Sequence, residues 1–458
     1  MRKIFCLLLM LLPFSLWAQN DFVRHIITPA GEVTFWRGTQ QLWVSAITSP
    51  PVYEATYYVA PWGDDDDPGT FEEPWQSWQK AFTTPTAGDT VYFRGGEYEP
   101  WNVNPAVPYA AVYTYLWDGG DIDDGYVNLW NYPGETPVLN CYTSNRAIRK
   151  GLYIQESDYF YIKGLTIKNV QQPVDGSQIA DGVYLSAANN IKFENCTFFD
   201  IEGPGFASRS GVGDSIYLTN CDSYSNYDPY TGAPNEPGGQ ADGFVTYNAD
   251  SLSYTLFKGC RAWECSDDGF DTYWHTGTVL IDSCWAWNCG AQPVGSNGFK
   301  LGPLHVTKSD SIRRIVRNCI SSVNGVVGFN ENSTYPIRMS IYNNVAYNNG
   351  NDGFNFNSAI TGSTRTFRNN ISYANDDDDF WALGDYVSDH NTWDDGAPIV
   401  TDADFVSLDV NQLDNPRQAD GSLPVVTYMH LVEGSDLIDA GVDVGLDYEG
   451  DAPDIGYA

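Results

Sequence analysis

Apolar and polar residues alternate over short runs through the middle of the chain. N-I-K-F-E-N-C-T-F-F, S-I-Y-L-T-N-C and G-T-V-L-I-D-S-C each place apolar side chains at every second position. That is the period of a strand with one buried face. Helical stripes at i, i+3 and i+4 are almost absent. The runs recur in register with two columns of residues. One column is Gly followed by an apolar residue: D-G-V at 181, P-G-F at 204, D-G-F at 242 and 268, N-G-F at 297, V-G-F at 327 and D-G-F at 352. The other follows about 15 to 20 residues later: N-C at 195 and 220, G-C at 259, S-C at 283, N-C at 318, then Asn-Asn at 343 and 369. Two signatures sharing one period of mostly 23 to 30 residues mark one repeated structural unit. Leucine-rich repeats have a similar length, but their leucine consensus is missing. The pattern predicts an all-β protein, a right-handed parallel β-helix whose successive coils stack at about 4.8 Å.

The period places the β-helix at residues 55–385 and predicts a cap at each end. A short N-terminal capping helix is expected around W-Q-S-W-Q-K-A-F, where it protects the edge of the first coil. After about Asn370 the period fails, and residues 386–458 are expected to cap the other end. Residues 19–54 read as an N-terminal extension. Residues 1–18 have Arg2 and Lys3, an apolar run from Ile4 to Leu12 and Ala18 before the expected cut, the pattern of a signal peptide. A secreted or periplasmic protein is therefore expected. No later run reaches the roughly 18 apolar residues of a membrane span.

Export makes disulfides the default expectation for the remaining cysteines, and the columns change it. Cys196, Cys221, Cys260, Cys284 and Cys319 share one column and are expected to stack inside the coils as small buried side chains. Cys265 and Cys289 form a shorter column at a separation that a disulfide can bridge.

Composition narrows the partners. The chain has 458 residues, of which 42% are hydrophobic, so there is ample material for a core. Acidic residues number 59 against 24 basic ones, a formal net charge of −35. Nucleic acids and anionic membranes would be repelled. An anionic substrate needs a local exception, either a bound cation or a basic patch. A monomer is expected.

S-D-D-G-F-D at 266 concentrates carboxylates within this acidic chain. In the column alignment Asp242, Asp268 and Asn297 occupy one position on successive coils, and Val245, Asp271 and Lys300 another three residues on. Asp267 adds a carboxylate beside them. Carboxylates converging from adjacent coils repel each other unless a cation neutralises them. Oxygen ligands suit Ca²⁺, and the scarcity of His and Cys nearby argues against zinc. Asp-Gly is also a common turn pair, and it recurs at 181 and 352 without a lysine. Lys300, beside a divalent ion, is expected to lose its proton more readily and to act as a general base. A base next to a divalent cation suits β-elimination of a uronic acid polymer: the cation holds the C6 carboxylate, and Lys300 removes the C5 proton. Tyr273, Trp274, His275, Asn297, Asn330 and Arg338 are candidates for contacting the sugar, with Tyr335 and Arg313 as further possibilities.

The segments A-D-G-F at 241, S-D-D-G-F-D at 266 and N-G-F-K-L-G at 297 resemble the active-site motifs of polysaccharide lyase family nine, which comprises pectate-lyase-type enzymes on a right-handed β-helix. The resemblance extends to G-D-T-V-Y-F-R-G-G-E-Y and to the tail from Q-A-D-G-S-L-P through S-D-L-I-D-A-G-V-D-V-G, covering most of residues 55–456. It implies that Asp242, Asp267, Asp268 and Asp271 hold Ca²⁺ and that Lys300 is the Brønsted base. The substrate it implies is an acidic polysaccharide, homogalacturonan (pectate) or rhamnogalacturonan I. Pro303 departs from the family's usual glycine after the lysine motif, and the loop 290–296 looks short; both bear on which polymer fits.

Two rival readings share the fold. A glycoside hydrolase with paired aspartates would need carboxyl groups about 6.5 to 9.5 Å apart, but it leaves Lys300 idle, and the Gly-His-Gly and Arg-Ile-Lys motifs of polygalacturonases are absent. A non-catalytic carbohydrate-binding β-helix is compatible with the scaffold, because fold alone does not fix function.

Overall fold

The computed structural model describes three strands within residues 23–45 and residues 55–456, apart from 117, 210–214, 231–236, 248–251, 274, 291–295, 303–311, 333–334 and 336. Val23–Ile27, Val33–Arg37 and Gln40–Ser45 form an antiparallel sheet in a compact unit of their own, residues 1–54. The expected signal segment lies outside the described residues.

From residue 55 the chain winds as a parallel β-helix with three ladders of strands. The first runs from Ala110–Tyr115 through Lys150–Gln155, Asp181–Ser186, Phe206–Arg209 and Phe244–Tyr247 to Phe270–Asp271, Phe299–Lys300 and Phe329–Asn330. The second includes Tyr254–Lys258, Thr278–Asp282, Ile312–Arg317 and Arg338–Tyr342. The third carries short strands such as Arg261–Trp263 and Trp285–Trp287.

The two sequence columns have distinct physical roles. The phenylalanine after each repeated glycine points inward, and Phe244, Phe270, Phe299, Phe329 and Phe354 stack with centroids 4.8–5.1 Å apart. The glycine before it lets coils approach: a Cβ on Gly269 would lie 2.7 Å from Gly298 O. The residue before each cysteine turns the chain. Asn195, Asn220, Ser283 and Asn318, with Asn343 and Asn369 further on, hold φ of 54–56°, a left-handed corner that asparagine tolerates better than most residues. The cysteines after them are buried free thiols, and so are Cys265 and Cys289. The disulfide that their spacing allows is not formed; their Sγ atoms face the carbonyls of Trp263 and Trp287 at 3.6 and 3.7 Å.

The capping helix is Trp78–Thr83, started by Ser77, whose hydroxyl accepts from Lys80 N–H at 3.1 Å. Gln79 explains how it protects the edge. Its amide donates to Tyr113 O and accepts from Tyr113 N–H, both at 2.8 Å, occupying polar groups of the strand Ala110–Tyr115. At the opposite end Trp393 stacks on Phe380 at 4.6 Å and closes the phenylalanine column. The rest of the tail runs back along the third ladder. Asn369 donates to Val442 O, Tyr428 donates to Ser322 Oγ, and Arg417 pairs with Asp222.

Candidate active site

Asp242 and Asp268 each stand two residues before a strand of the first ladder, and Asp271 ends the strand Phe270–Asp271. Each carboxylate is anchored through one oxygen by a backbone amide. Asp268 N–H donates to Asp242 Oδ1 at 3.2 Å, Asn297 N–H to Asp268 Oδ1 at 2.7 Å, and Tyr273 N–H to Asp271 Oδ1 at 2.7 Å. Stacking the coils therefore fixes Asp242 and Asp268, a local turn fixes Asp271, and the other oxygens are left to converge. Oxygens of Asp242, Asp268 and Asp271 lie within 4.8 Å of one another, and all three residues are buried. Lys300, in direct register with Asp271, brings Nζ to 3.0 Å from Asp268 Oδ2 and 3.2 Å from Asp271 Oδ2. Asp267 stands at the rim, where Ser296 Oγ donates to its Oδ1 at 2.7 Å.

This is an electrostatically loaded cluster. Burial, then the neighbouring carboxylates, pushes Asp242 well above the ordinary carboxylate range. Burial and Asp268 push Asp267 up to about 7. Asp271 is also raised, by burial, with Lys300 opposing. Burial alone would depress the Lys300 ammonium, but the four carboxylates outweigh it and raise it. The depression expected beside a divalent ion thus requires the carboxylate charge to be neutralised first. The donor set fits a hard cation: Asp268 Oδ2 is buried with the Lys300 ammonium at 3.0 Å as its cationic neighbour, and three oxygen-only side chains surround one volume. Aspartates of the same motif elsewhere lack this arrangement. Asp181 pairs with Lys150, and Asp352 accepts from Asn355.

A model of the family described as Pel9A-like, right handed beta helix region matches residues 57–385. The chain belongs to this family. Pectate lyase L of Dickeya dadantii (strain 3937) is 31% identical to it, over 90% of this chain and 92% of that one. Pectate lyase PEL9 of Emericella nidulans is 29% identical, over 87% and 97%. The crystal structure of pectate lyase Pel9A superposes with a TM-score of 0.71 at 27% identity, covering 88% of this chain and 95% of that one. With this membership, this member of the Pel9A-like family is a polysaccharide lyase.

The remaining candidates separate around the cluster. Tyr273 is half-buried, with Lys300 Nζ 5.5 Å from its ring centre. Asn297 is a support: its Nδ2 donates to Asp268 Oδ1 at 2.7 Å, and its Oδ1 accepts from Asn330 Nδ2 at 3.0 Å. His275 is wholly buried, with Nε2 3.2 Å from Thr255 Oγ1; that corrects its reading as a sugar contact, because the chain turns inward once the strand Phe270–Asp271 ends. Trp274 and Pro303 lie outside the described residues. Arg338 is exposed but opens a strand of the second ladder, not the first, and Arg313 lies in that ladder too.

Arg314 is the residue that sequence reading missed. It is fully buried, and its guanidinium donates to the carbonyls of Thr272, Gly277 and Leu301 at 3.0 Å each. It thus ties the chain following Asp271 to the chain following Lys300. The signal was present. Arg314 stands five residues before Cys319, the inward position that Ile191, Ile216, Thr255 and Val279 occupy before their own cysteines.

Proposed function

We propose that this lyase is exported and calcium-dependent, and that it cleaves a galacturonate-containing polymer, pectate first and the rhamnogalacturonan I backbone second, by β-elimination with Lys300 as the base. The observation that carries the reading is the position of Lys300 Nζ, 3.0 and 3.2 Å from carboxylates of the neighbouring coil. A primary amine and a converging oxygen donor set on one face are the two components that elimination from a uronate needs. Asp242, Asp268 and Asp271 would hold the cation, with Asp267 at the rim. Bound there, Ca²⁺ would supply positive charge to the C6 carboxylate and to the negative charge that develops as C5 loses its proton.

The protein's own groups do the rest. Lys300 must first give up a proton, which its carboxylate neighbours resist until their charge is neutralised. The free amine then takes the C5 proton, the electron pair forms the C4–C5 double bond, and the C4–O4 bond breaks with its pair leaving on O4, which takes up a proton. Burial of the aspartates excludes competing water from the anchored oxygens. Asn297 and the backbone amides hold those oxygens in place, so little reorganisation is needed during the reaction.

The test is the ultraviolet absorbance of the unsaturated product, from de-esterified polygalacturonate and from rhamnogalacturonan I, with Ca²⁺, with chelator, and with Lys300→Ala. We expect product that requires both calcium and Lys300, with a loss of about 10²–10⁴-fold in kcat for the variant. Bond cleavage without an unsaturated product would make the aspartates hydrolytic and overturn the role of Lys300. Binding of the polymer without any cleavage would make the face a recognition surface.

A further inference from the structure

The face that carries Lys300 continues toward the N-terminal end in unbroken register. One column of the first ladder reads Tyr113, Tyr153, Tyr184, Ala207, Val245, Asp271, Lys300, with Ala207 and Val245 covered. The column of Asp242 and Asp268 continues through Asp181 to Lys150. The residue types change along the way. Carboxylates dominate at the reacting rung, whereas cations and tyrosines dominate three to five coils from Lys300, about 14 to 24 Å along at the usual strand spacing.

Lys150 Nζ pairs with Asp181 and lies 4.4 Å from the centre of the Tyr184 ring. Arg209 lies 3.6 Å from the other oxygen of Asp181, and its guanidinium sits 4.8 Å over the Tyr247 ring. Burial, with Arg209 and Arg149 nearby, lowers the Lys150 ammonium to about 7, so Arg209 is the permanent cation of the pair. Lys150 and Arg209 therefore share the Asp181 carboxylate, in a chain whose net charge is −35. Tyr113, Tyr153 and Tyr184 are half-buried, with ring centres 5.1 and 5.0 Å apart in successive coils. They offer apolar ring surface beside the cations, a combination suited to a sugar that carries a carboxylate.

We propose that Lys150, Arg209, Tyr153 and Tyr184 form a distal subsite for an anionic sugar unit of the polymer whose cleavage occurs at Lys300. The inference rests on the reading of the substrate as a polyuronate. Its consequence is a preference for long chains, because only a polymer spanning several coils reaches the cations and the reacting rung together. It also means that cleavage falls inside the chain, several sugar units from the anchored segment.

The test compares oligogalacturonates of three and of at least eight units. Calorimetric binding is measured in the presence of Ca²⁺ to Lys300→Ala, and to the same variant carrying Arg209→Gln or Tyr153→Ala. The expected result is that long oligomers bind Lys300→Ala at least tenfold more tightly than trimers, and that either added substitution removes most of this advantage. In the active protein, Arg209→Gln lowers the ratio of kcat/KM on long over short substrate by a similar factor. Thermal unfolding of each variant checks that the coils remain folded, and the two substitutions remove different chemistry, so a folding defect in one leaves the other decisive. Equal affinity for long and short oligomers in Lys300→Ala, or a length advantage that survives both substitutions, overturns the subsite. The underlying reading fails separately, by the absence of an unsaturated product from the unsubstituted protein, since the binding comparison does not depend on turnover.

Discussion

At the scale of single residues, the site works by dividing each carboxylate between two tasks. One oxygen is fixed by an amide of the stack, and the other is left to face the cluster. Asn297 does this twice for Asp268, through its backbone N–H and its side chain, both at 2.7 Å. Asn297→Ala keeps the backbone bond and removes the second. We expect calcium affinity to fall about 10- to 100-fold, the usual effect of losing a group that orients a ligand, with kcat at saturating Ca²⁺ changed far less; calorimetric titration and the rate as a function of Ca²⁺ separate the two. The raised aspartates also make the calcium-stripped protein sensitive to pH. A carboxyl whose folded pKa is about 7 against an ordinary 3.8 binds its proton more tightly when folded, so its contribution to stability is complete below about pH 4 and is lost as the pH rises through 7. Thermal unfolding in chelator should therefore move to lower temperature between pH 4 and pH 7. Added calcium, which binds the ionised carboxylates, should oppose that trend most at pH 7. A calcium shift that is larger at pH 4 than at pH 7 would contradict it.

At the scale of the elements, the repeat was legible because its two columns carry backbone and packing demands that few residues satisfy. Asparagine tolerates the left-handed corner at 195, 220 and 318 better than most residues, and the stacked interior selects phenylalanine at 244, 270, 299, 329 and 354. Column alignment alone sets Asp271 beside Lys300, the register that the strands adopt. It failed one residue past the strand ends, where period no longer decides direction, and so His275 was read as outward when it is buried. Arg314 was missed because a cation is not expected at an inward strand position, and only counting back from Cys319 places it there. The path of the tail was not legible at all. Arg417 meets Asp222 across 195 residues of sequence, and no periodicity links them. The phenylalanine stack makes its own prediction. Phe299 is flanked by Phe270 and Phe329 at 4.9 and 4.8 Å, with no exposed surface. Phe299→Ala should cost about 3–5 kcal/mol by opening a cavity between two coils. Because Phe299 immediately precedes Lys300, activity in dilute urea should be lost before global unfolding, measured by comparing rate and circular dichroism across one titration.

At the scale of the whole molecule, a net charge of −35 and the proposed polyanionic substrate give long-range repulsion and local attraction opposite signs. The range of each decides which one salt removes first. The screening length is about 30 Å at 0.01 M and about 8 Å at 0.15 M ionic strength. Repulsion from the acidic surface acts over tens of ångströms and is largely screened across that interval. Attraction at Arg209, 3.6 Å from Asp181 and partly buried, acts at contact distance and persists. Raising NaCl from 0.01 to 0.15 M at fixed calcium should therefore lower KM for long polygalacturonate several-fold and leave kcat nearly unchanged. Further salt should reverse the trend as contact pairs weaken. The same titration with Arg209→Gln should keep the initial fall, which belongs to the whole surface, and begin from a higher KM, which belongs to the distal cations. If KM instead rises steadily from the lowest salt, local attraction controls encounter, and the acidic surface lies turned away from the approaching chain.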